Sequence, residues 1–422
     1  MQHATTTLPD EVRSWIEDAT SSTITSATRR AGGGRNEGWL IELISSGGDQ
    51  RTAFLRWDRS DPSATGDPWT VRREATVYRA LSTTDLPVAH FIAVHPTRQA
   101  LLLEVVTGDG RFSAVTDRSQ ATAIAQDFMR CLARLHHLDV VRLRLADAGS
   151  TVADHVHAQL DEIDALIAFR GGVPAAELAI ALGWLRANVP AYDGPPVLVQ
   201  GDTGPGNFMF DGDRVTAIVD WELAHPGDPM DDLAWVSLRS VQEPFPDLEE
   251  RFAEYEHASG HPIDVDRIRY YRVLAEAKIM AMGHGLGSDS RQVGSGDTGA
   301  RLIFGQLHRR LLVETLSEVL GMPADQGWSP STHAPEDEPE WHALYGSVLA
   351  QLRDVITPRI GDGFALQRTK GLARVIKYLE SVDLNGRAYA SQELDDLGAV
   401  LGSRPSSPSE GRRRLAVAVR ER

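Results

Sequence analysis

Residues 197–235 read VLVQGDTGPGNFMFDGDRVTAIVDWELAHPGDPMDDLAW, and this stretch decides the fold. The apolar run 196–200 ends in Gln200-Gly201-Asp202, so Asp202 sits where the chain leaves a strand. Asn207 follows five residues later, across a loop bearing Gly204, Pro205 and Gly206. Asp211-Gly212-Asp213 reads as a hairpin turn, and the apolar strand after it, 214–219, delivers Asp220. This order is the one phosphoryl transfer needs. One carboxylate must orient and deprotonate a hydroxyl, while a neutral oxygen and a second carboxylate hold Mg²⁺ against nucleotide phosphates. Placement at strand ends lets the three side chains converge. Taken singly, each residue has a plainer reading: Gly-Asp is a common turn, and an Asp after Val-Thr-Ala-Ile-Val can cap the next helix. The ordered set, in a strand–loop–strand context, favours the chemistry.

Working outward, residues 39–45 (WLIELIS) and 52–57 (TAFLRW) are short apolar runs separated by SGGDQ, which predicts a hairpin. Residues 69–81 have helical spacing, with Val71, Ala75, Tyr78 and Leu81 on one face. Two further strands are predicted at 89–95 and 100–106, completing a small antiparallel sheet with one helix on it. After Gly108 long helical patterns take over, first at 119–138 and 155–168, then with interruptions from Asp231 to about Gly321. Residues 322–340, with four prolines and an acidic cluster, read as a linker. Three helical patterns follow, at 341–356, 365–380 and 391–401, and the polar stretch 403–422 reads as a disordered tail with a basic helical end. Arg412-Arg413-Arg414 within it reads as a solvated charge run.

Composition narrows the function classes. The 422 residues carry 43 Lys+Arg against 59 Asp+Glu, a formal charge of −16 that counts against broad nucleic-acid binding. No apolar run approaches the ~18 residues of a membrane span, and the first residues lack a secretory pattern, so a cytoplasmic protein is expected. Cys131 is the single cysteine, which excludes an intrachain disulfide and a Cys-rich metal site. Lysine occurs only at Lys278, Lys370 and Lys377, so nothing before Lys278 can be a functional lysine.

The segment resembles the catalytic and metal-binding loops of the aminoglycoside phosphotransferase-like (APH/choline kinase-type) family, which shares the two-lobed protein-kinase fold. The family's His-Gly-Asp-x4-Asn is matched by Gln200-Gly201-Asp202…Asn207, and its Asp in the kinase Asp-Phe-Gly position by Asp220. Gly227-Asp228-Pro229-x-x-Asp232-Leu233-Ala234 is similar to the family's downstream structural segment, and 132–139 (LARLHHLD) to the helix before the catalytic region. The resemblance covers about residues 20–320. It implies an α+β, two-lobed kinase-like fold with a small antiparallel-sheet N-lobe (1–106, ATP-binding) and a mainly helical C-lobe (107–321, catalytic and acceptor-binding). The linker 322–340, a helical extension over 341–402 and the tail would follow. It implies ATP and Mg²⁺ as cofactors, Asp202 as catalytic base, and Asn207 and Asp220 as Mg²⁺ ligands.

By the same resemblance the N-lobe holds the nucleotide. Gly32, Gly33 and Gly34 lie where a flap would cover the phosphates, although no Gly-Lys-Ser/Thr makes it a Walker A loop. The cation for the α/β-phosphates, usually Lys, falls at Arg56 within 53–57, with Glu74 on the helix as its acidic partner. Guanidinium stays charged and can grip phosphate in two-pronged fashion. Glu104 and Val105, just before Gly108, fall at the hinge whose backbone would meet adenine. The second departure is Gln200 for the family's His: bracing by hydrogen bonds would survive the change, whereas tuning of the base would not.

The block VDWELAHPGDPMDDLAW is more similar to the branch associated with acyl-CoA dehydrogenases, which implies phosphorylation of a hydroxyl on a hydroxyacyl-CoA. The alternatives are an antibiotic (aminoglycoside or macrolide) or alcohol kinase and, from another class, a catalytically impaired kinase-like binding protein. The expected partner is a small-molecule hydroxyl acceptor, not nucleic acid or membrane. The extension loosely resembles a small helical protein that accompanies such kinases, or it is a homodimerisation element.

Overall fold

A computed structural model describes residues 8–30, 36–59, 66–284, 298–322 and 341–420. The chain divides into two compact units, 1–165 with 188–275, and 166–187 with 276–422. Residues 166–187 and 276–321, expected within the C-lobe, therefore group with the extension. The glycines Gly32, Gly33 and Gly34, and the linker beyond Met322, lie outside the described residues.

The first unit begins with α1 (Asp10–Thr20) and β1 (Ser22–Arg29), followed by the expected hairpin, β2 (Glu37–Ser45) and β3 (Gln50–Asp58). Helix α2 (Val71–Leu81) precedes β4 (Phe91–Val94) and β5 (Gln99–Glu104). The strands form one antiparallel sheet in the order β1-β2-β3-β5-β4. Alternation along β3 sends Ala53, Leu55 and Trp57 to one face, where they pack with Val12 and Ile16 of α1. Arg56 consequently points to the opposite face, toward α2. The sequence pattern missed α1 and β1, because β1 is STITSATR, too polar to show an apolar run.

The chain then crosses through Gly108, whose added Cβ would lie 2.6 Å from the Phe210 carbonyl oxygen; a side chain does not fit. Helices α3 (Arg118–His136) and α4 (Val152–Arg170) follow, then α5 (Ala176–Ala187). Strand β6 (Val197–Val199) leads into the catalytic loop, and β7 (Phe208–Asp211) and β8 (Arg214–Ile218) form the hairpin. Strand β9 (His225–Gly227) returns to pair with β6. Asp228 then caps α6 (Pro229–Gln242), accepting from the Met230 N–H with Pro229 in the first turn. Helices α7 (Leu248–Ser259) and α8 (Val265–Gly283) follow; α3 packs on α7, and Trp221 and Trp235 are buried.

The second unit contains α5, α9 (Thr298–Val319), α10 (His342–Ala350), α11 (Gly363–Leu401) and α12 (Pro408–Arg420). Two expectations are corrected here. The patterns at 365–380 and 391–401 belong to one 39-residue helix. The residues between those two patterns include Gly386, and an interior Gly costs only about 1 kcal/mol. Asn385 donates to the Ser381 carbonyl, and α11 approaches α9 closely at Gly371 and Gly299. Within the stretch expected as a disordered tail with a basic helical end, Pro408–Arg420 forms α12, with Ala416 buried and Gly411 against Leu397. Arg412 pairs with Glu393 on α11 and Arg414 lies 3.7 Å from Glu410, so the arginine run is not simply solvated. Among the described residues no helix is long and apolar enough to cross a membrane.

Candidate active site

All the described candidates of the catalytic loop, and the Arg56–Glu74 pair, come together within the first unit. Asp202 lies three residues past β6. Its Oδ2 accepts from Asn207 Nδ2 at 2.6 Å, and the same amide donates to the Asp202 carbonyl at 2.7 Å. Its Oδ1 takes a 2.7 Å contact from Arg239 Nη1 on α6. Burial pushes the Asp202 carboxyl upward in proton affinity, against the pull of Arg239.

The loop is shaped by the buried groups beneath it. Asp232, on the first turns of α6 and fully buried, accepts the N–H groups of Gln200 and Gly201 at 2.9 Å each, the Thr203 hydroxyl and His136 Nε2 at 3.0 Å. His136 in turn meets the Tyr255 hydroxyl at 2.6 Å. Burial opposes ionisation of Asp232, but these donors outweigh it and hold the carboxyl below its usual range. Gly201 has φ +83°, and a Cβ there would lie 2.5 Å from the Leu223 carbonyl oxygen.

Gln200 is fully buried and bridges two loops. Its amide nitrogen, Nε2, donates to the carbonyls of Val219 (2.9 Å) and Asp220 (2.7 Å). Its Oε1 accepts from the Asp202 N–H and the Thr203 hydroxyl. Four hydrogen bonds thus make Gln200 a brace, the role in which an amide can replace an imidazole, and it does so without a titratable group.

Asp220 leaves β8 in the left-handed region, φ +64°, a conformation uncommon outside glycine and frequent at functional sites. The Val219 N–H donates to the Asn207 carbonyl, tying this segment to the catalytic loop. From the sheet above, Arg56 Nε lies 2.7 Å from Glu74, and its Nη2 lies 2.5 Å from Asp220 and 2.8 Å from Glu222. Glu222 also accepts from Asn36. Burial alone would weaken the guanidinium's hold on its proton, but Asp220, Glu74 and Glu222 more than compensate. Burial likewise drives Glu74 upward, with Arg56 opposing. Three carboxylates around one guanidinium leave surplus negative charge.

Glu104 ends β5, donating its N–H to the His90 carbonyl, and Val105 is 40% exposed just beyond it. Among the described residues, neither is hydrogen-bonded or ion-paired to the carboxylate cluster. Sequence reasoning missed Arg239, one arginine among many on a helix, and Glu222, which follows Asp220 by two residues without any spacing signal of its own.

A small antiparallel sheet flanked by two helices, set against helices and a hairpin that present an Asp–Asn–Asp set, is the protein-kinase-like fold. The chain belongs to the phosphotransferase enzyme family, whose APH model matches residues 40–271, more than half of its length. Over 246 residues it is 26% identical to mouse (Mus musculus) "Acyl-CoA dehydrogenase family member 11", a match covering 51% of this chain and 31% of that protein. The chain thus corresponds to about a third of that relative's length. In fold it is similar to a Ralstonia eutropha protein provisionally assigned as an aminoglycoside phosphotransferase, at TM-score 0.55 and 21% identity, covering 74% of this chain and 98% of that one. A thermostable mutant of aminoglycoside phosphotransferase APH(4)-Ia, in ternary complex with ADP and hygromycin B, gives TM-score 0.51 and 16% identity, with 72% and 98% covered.

Proposed function

We propose that this protein transfers the γ-phosphoryl group of ATP to a hydroxyl of a small molecule, with Mg²⁺, and that the acceptor is a hydroxyacyl-CoA or related metabolite. The observation that carries the reading is the convergence of Asp202, Asn207 and Asp220 on one loop system that also meets Arg56 and Glu74. In this scheme an Asp202 oxygen accepts the proton as the acceptor oxygen attacks the γ-phosphorus. The bond from that phosphorus to the β,γ-bridging oxygen breaks, and ADP leaves. Arg56, steadied by Glu74, grips the α/β-phosphates, the backbone at Glu104 and Val105 meets adenine, and Gly32, Gly33 and Gly34 would serve as the flap over the phosphates. Residues 1–106 would then serve the nucleotide and 107–321 the acceptor, in a cytoplasmic enzyme.

The donor types fit a hard divalent cation: Asp220 is one of three carboxylates around a single guanidinium, and Asn207 offers a neutral amide oxygen. Among the described residues no group of three or more His, Cys, Asp or Glu could hold a metal. Mg²⁺ typically takes one or two carboxylates and completes its shell with waters and phosphates, so such a group is not required. When bound it neutralises charge on the phosphates. The acyl-CoA preference is supported by the similarity to the acyl-CoA dehydrogenase relative.

The test is a Mg-ATP consumption screen over hydroxyacyl-CoAs, free hydroxy acids, tertiary alcohols and aminoglycosides, with Asp202→Ala as control. Turnover of a hydroxyacyl-CoA, lost in Asp202→Ala while Mg-ATP still binds, is the expected result. Turnover of aminoglycosides alone would overturn the acceptor, and absence of any Mg-ATP thermal stabilisation would favour the binding-protein alternative.

A further inference from the structure

Within the catalytic loop 202–207, Asp-Thr-Gly-Pro-Gly-Asn, there is no cationic side chain. A cation reaches it from elsewhere. Arg239, near the end of α6, places Nη1 2.7 Å from Asp202 Oδ1 and donates from Nε to the Pro205 carbonyl at 2.8 Å. The guanidinium therefore spans the loop, holding the carboxylate with one edge and the backbone three residues later with another.

The loop's glycines are explained by this contact. A Cβ at Gly206 (φ +89°) would lie 2.8 Å from Arg239 Nη2, and a Cβ at Gly204 (φ +139°) would lie 3.2 Å from Arg239 Cβ. Both positions have backbone angles that L side chains rarely adopt, and both lie against the arginine stem or head. The Gly-Pro-Gly sequence thus serves two needs at once, the turn itself and a bed for Arg239. The ion pair is partly screened from water, with 21% of the arginine and 23% of the aspartate side chain exposed.

We propose that Arg239 is a positioning residue for phosphoryl transfer, fixing the direction of the Asp202 carboxylate together with Asn207. Asn207 Nδ2 takes Oδ2 and Arg239 Nη1 takes Oδ1, so the two donors determine the plane of the carboxylate. A lysine cannot reproduce the arrangement, because a single ammonium lacks the rigid fork that serves Asp202 and Pro205 simultaneously. The inference rests on Asp202 as the carboxylate that faces the acceptor hydroxyl.

The experiment compares Arg239→Met, Arg239→Lys, Asp202→Asn and the double variant Asp202→Asn/Arg239→Met, using the most active acceptor of the screen above. A misdirected carboxylate is expected to lower kcat about 100-fold in Arg239→Met while the KM for ATP stays within about threefold of wild type. Arg239→Lys is expected to recover only part of the loss, and methylguanidinium added to Arg239→Met is expected to restore activity. A merely structural loss would not be rescued in that way. The double variant should be no slower than Asp202→Asn alone, because the arginine acts through that carboxylate. Wild-type kcat in Arg239→Met, or in Arg239→Lys should the Met variant fail to fold, overturns the proposal. Full activity in Asp202→Asn would instead overturn the role of Asp202, so the two failures are distinct.

Discussion

The catalytic segment and the C-terminal extension are both stabilised by charged side chains, but the charges do opposite kinds of work. Under the catalytic loop, Asp232 is fully buried and receives donors from Gln200, Gly201, Thr203 and His136. In the extension, Arg412 and Glu393 face each other with 53% and 30% of their side chains exposed. A buried carboxylate with several donors leaves them all unsatisfied when removed, whereas a solvated pair returns each partner to water. The lesson is that the first fixes one loop geometry and the second only decorates a helix–helix contact already made by Gly411, Leu397 and Ala416.

The strongest attempt to break this contrast is Asp232→Ala. It should cost at least about 3 kcal/mol in chemical denaturation, since several buried donors lose their acceptor together. A loss below about 1 kcal/mol would show that the loop is held by other means. Asp228, which caps α6 at the edge of the same segment, sharpens the contrast through pH. Burial raises its carboxyl to about 6, with Arg267 opposing. The folded state thus holds this proton more tightly than the unfolded chain, so the stabilisation is complete below about pH 4. It is lost as pH rises through about 6. In Asp228→Asn, which keeps a capping side chain, that decline should be absent; a thermal-midpoint difference between the two proteins that stays constant from pH 4 to 7 would rule the assignment out. The smallest effect is expected in the extension, where Arg412→Ala should change stability by less than about 1 kcal/mol, read by the same melts. A larger drop would place the extension's charges in the same class as Asp232.

The extension also differs in what it exposes. Trp341, Leu344, Leu372 and Val400 are each more than half exposed. Its helical periodicity was legible in the sequence, but its boundaries were not. Asn385-Gly386 is a turn-prone pair in isolation, yet α11 runs through it while packing along α9 and α12. The same holds for α12, whose polar composition resembles a tail until the small residues Gly411 and Ala416 meet α11 and α5.

In the catalytic segment the balance is reversed. The spacing of Asp202, Asn207 and Asp220 was readable because all three lie on neighbouring strand ends, where chain geometry dictates placement. Arg56 and Glu74 were legible as a pair through the family resemblance, and alternation in β3 accords with it by turning Arg56 away from the face of Ala53, Leu55 and Trp57. The Asp202–Asn207–Asp220 spacing and the strand and helix patterns around it are local, set by short loops and by periodicities of two and 3.6 residues, and the sequence by itself determined them. That Gln200 would brace two loops with four hydrogen bonds, that Arg56 would lie on Asp220 and Glu222 as well as Glu74, and that Arg239 would cross to Asp202 depended on contacts between elements far apart in the chain. Only the tertiary structure decided these, because a side chain's partner over such separations is fixed by how helices and loops pack and not by any local pattern.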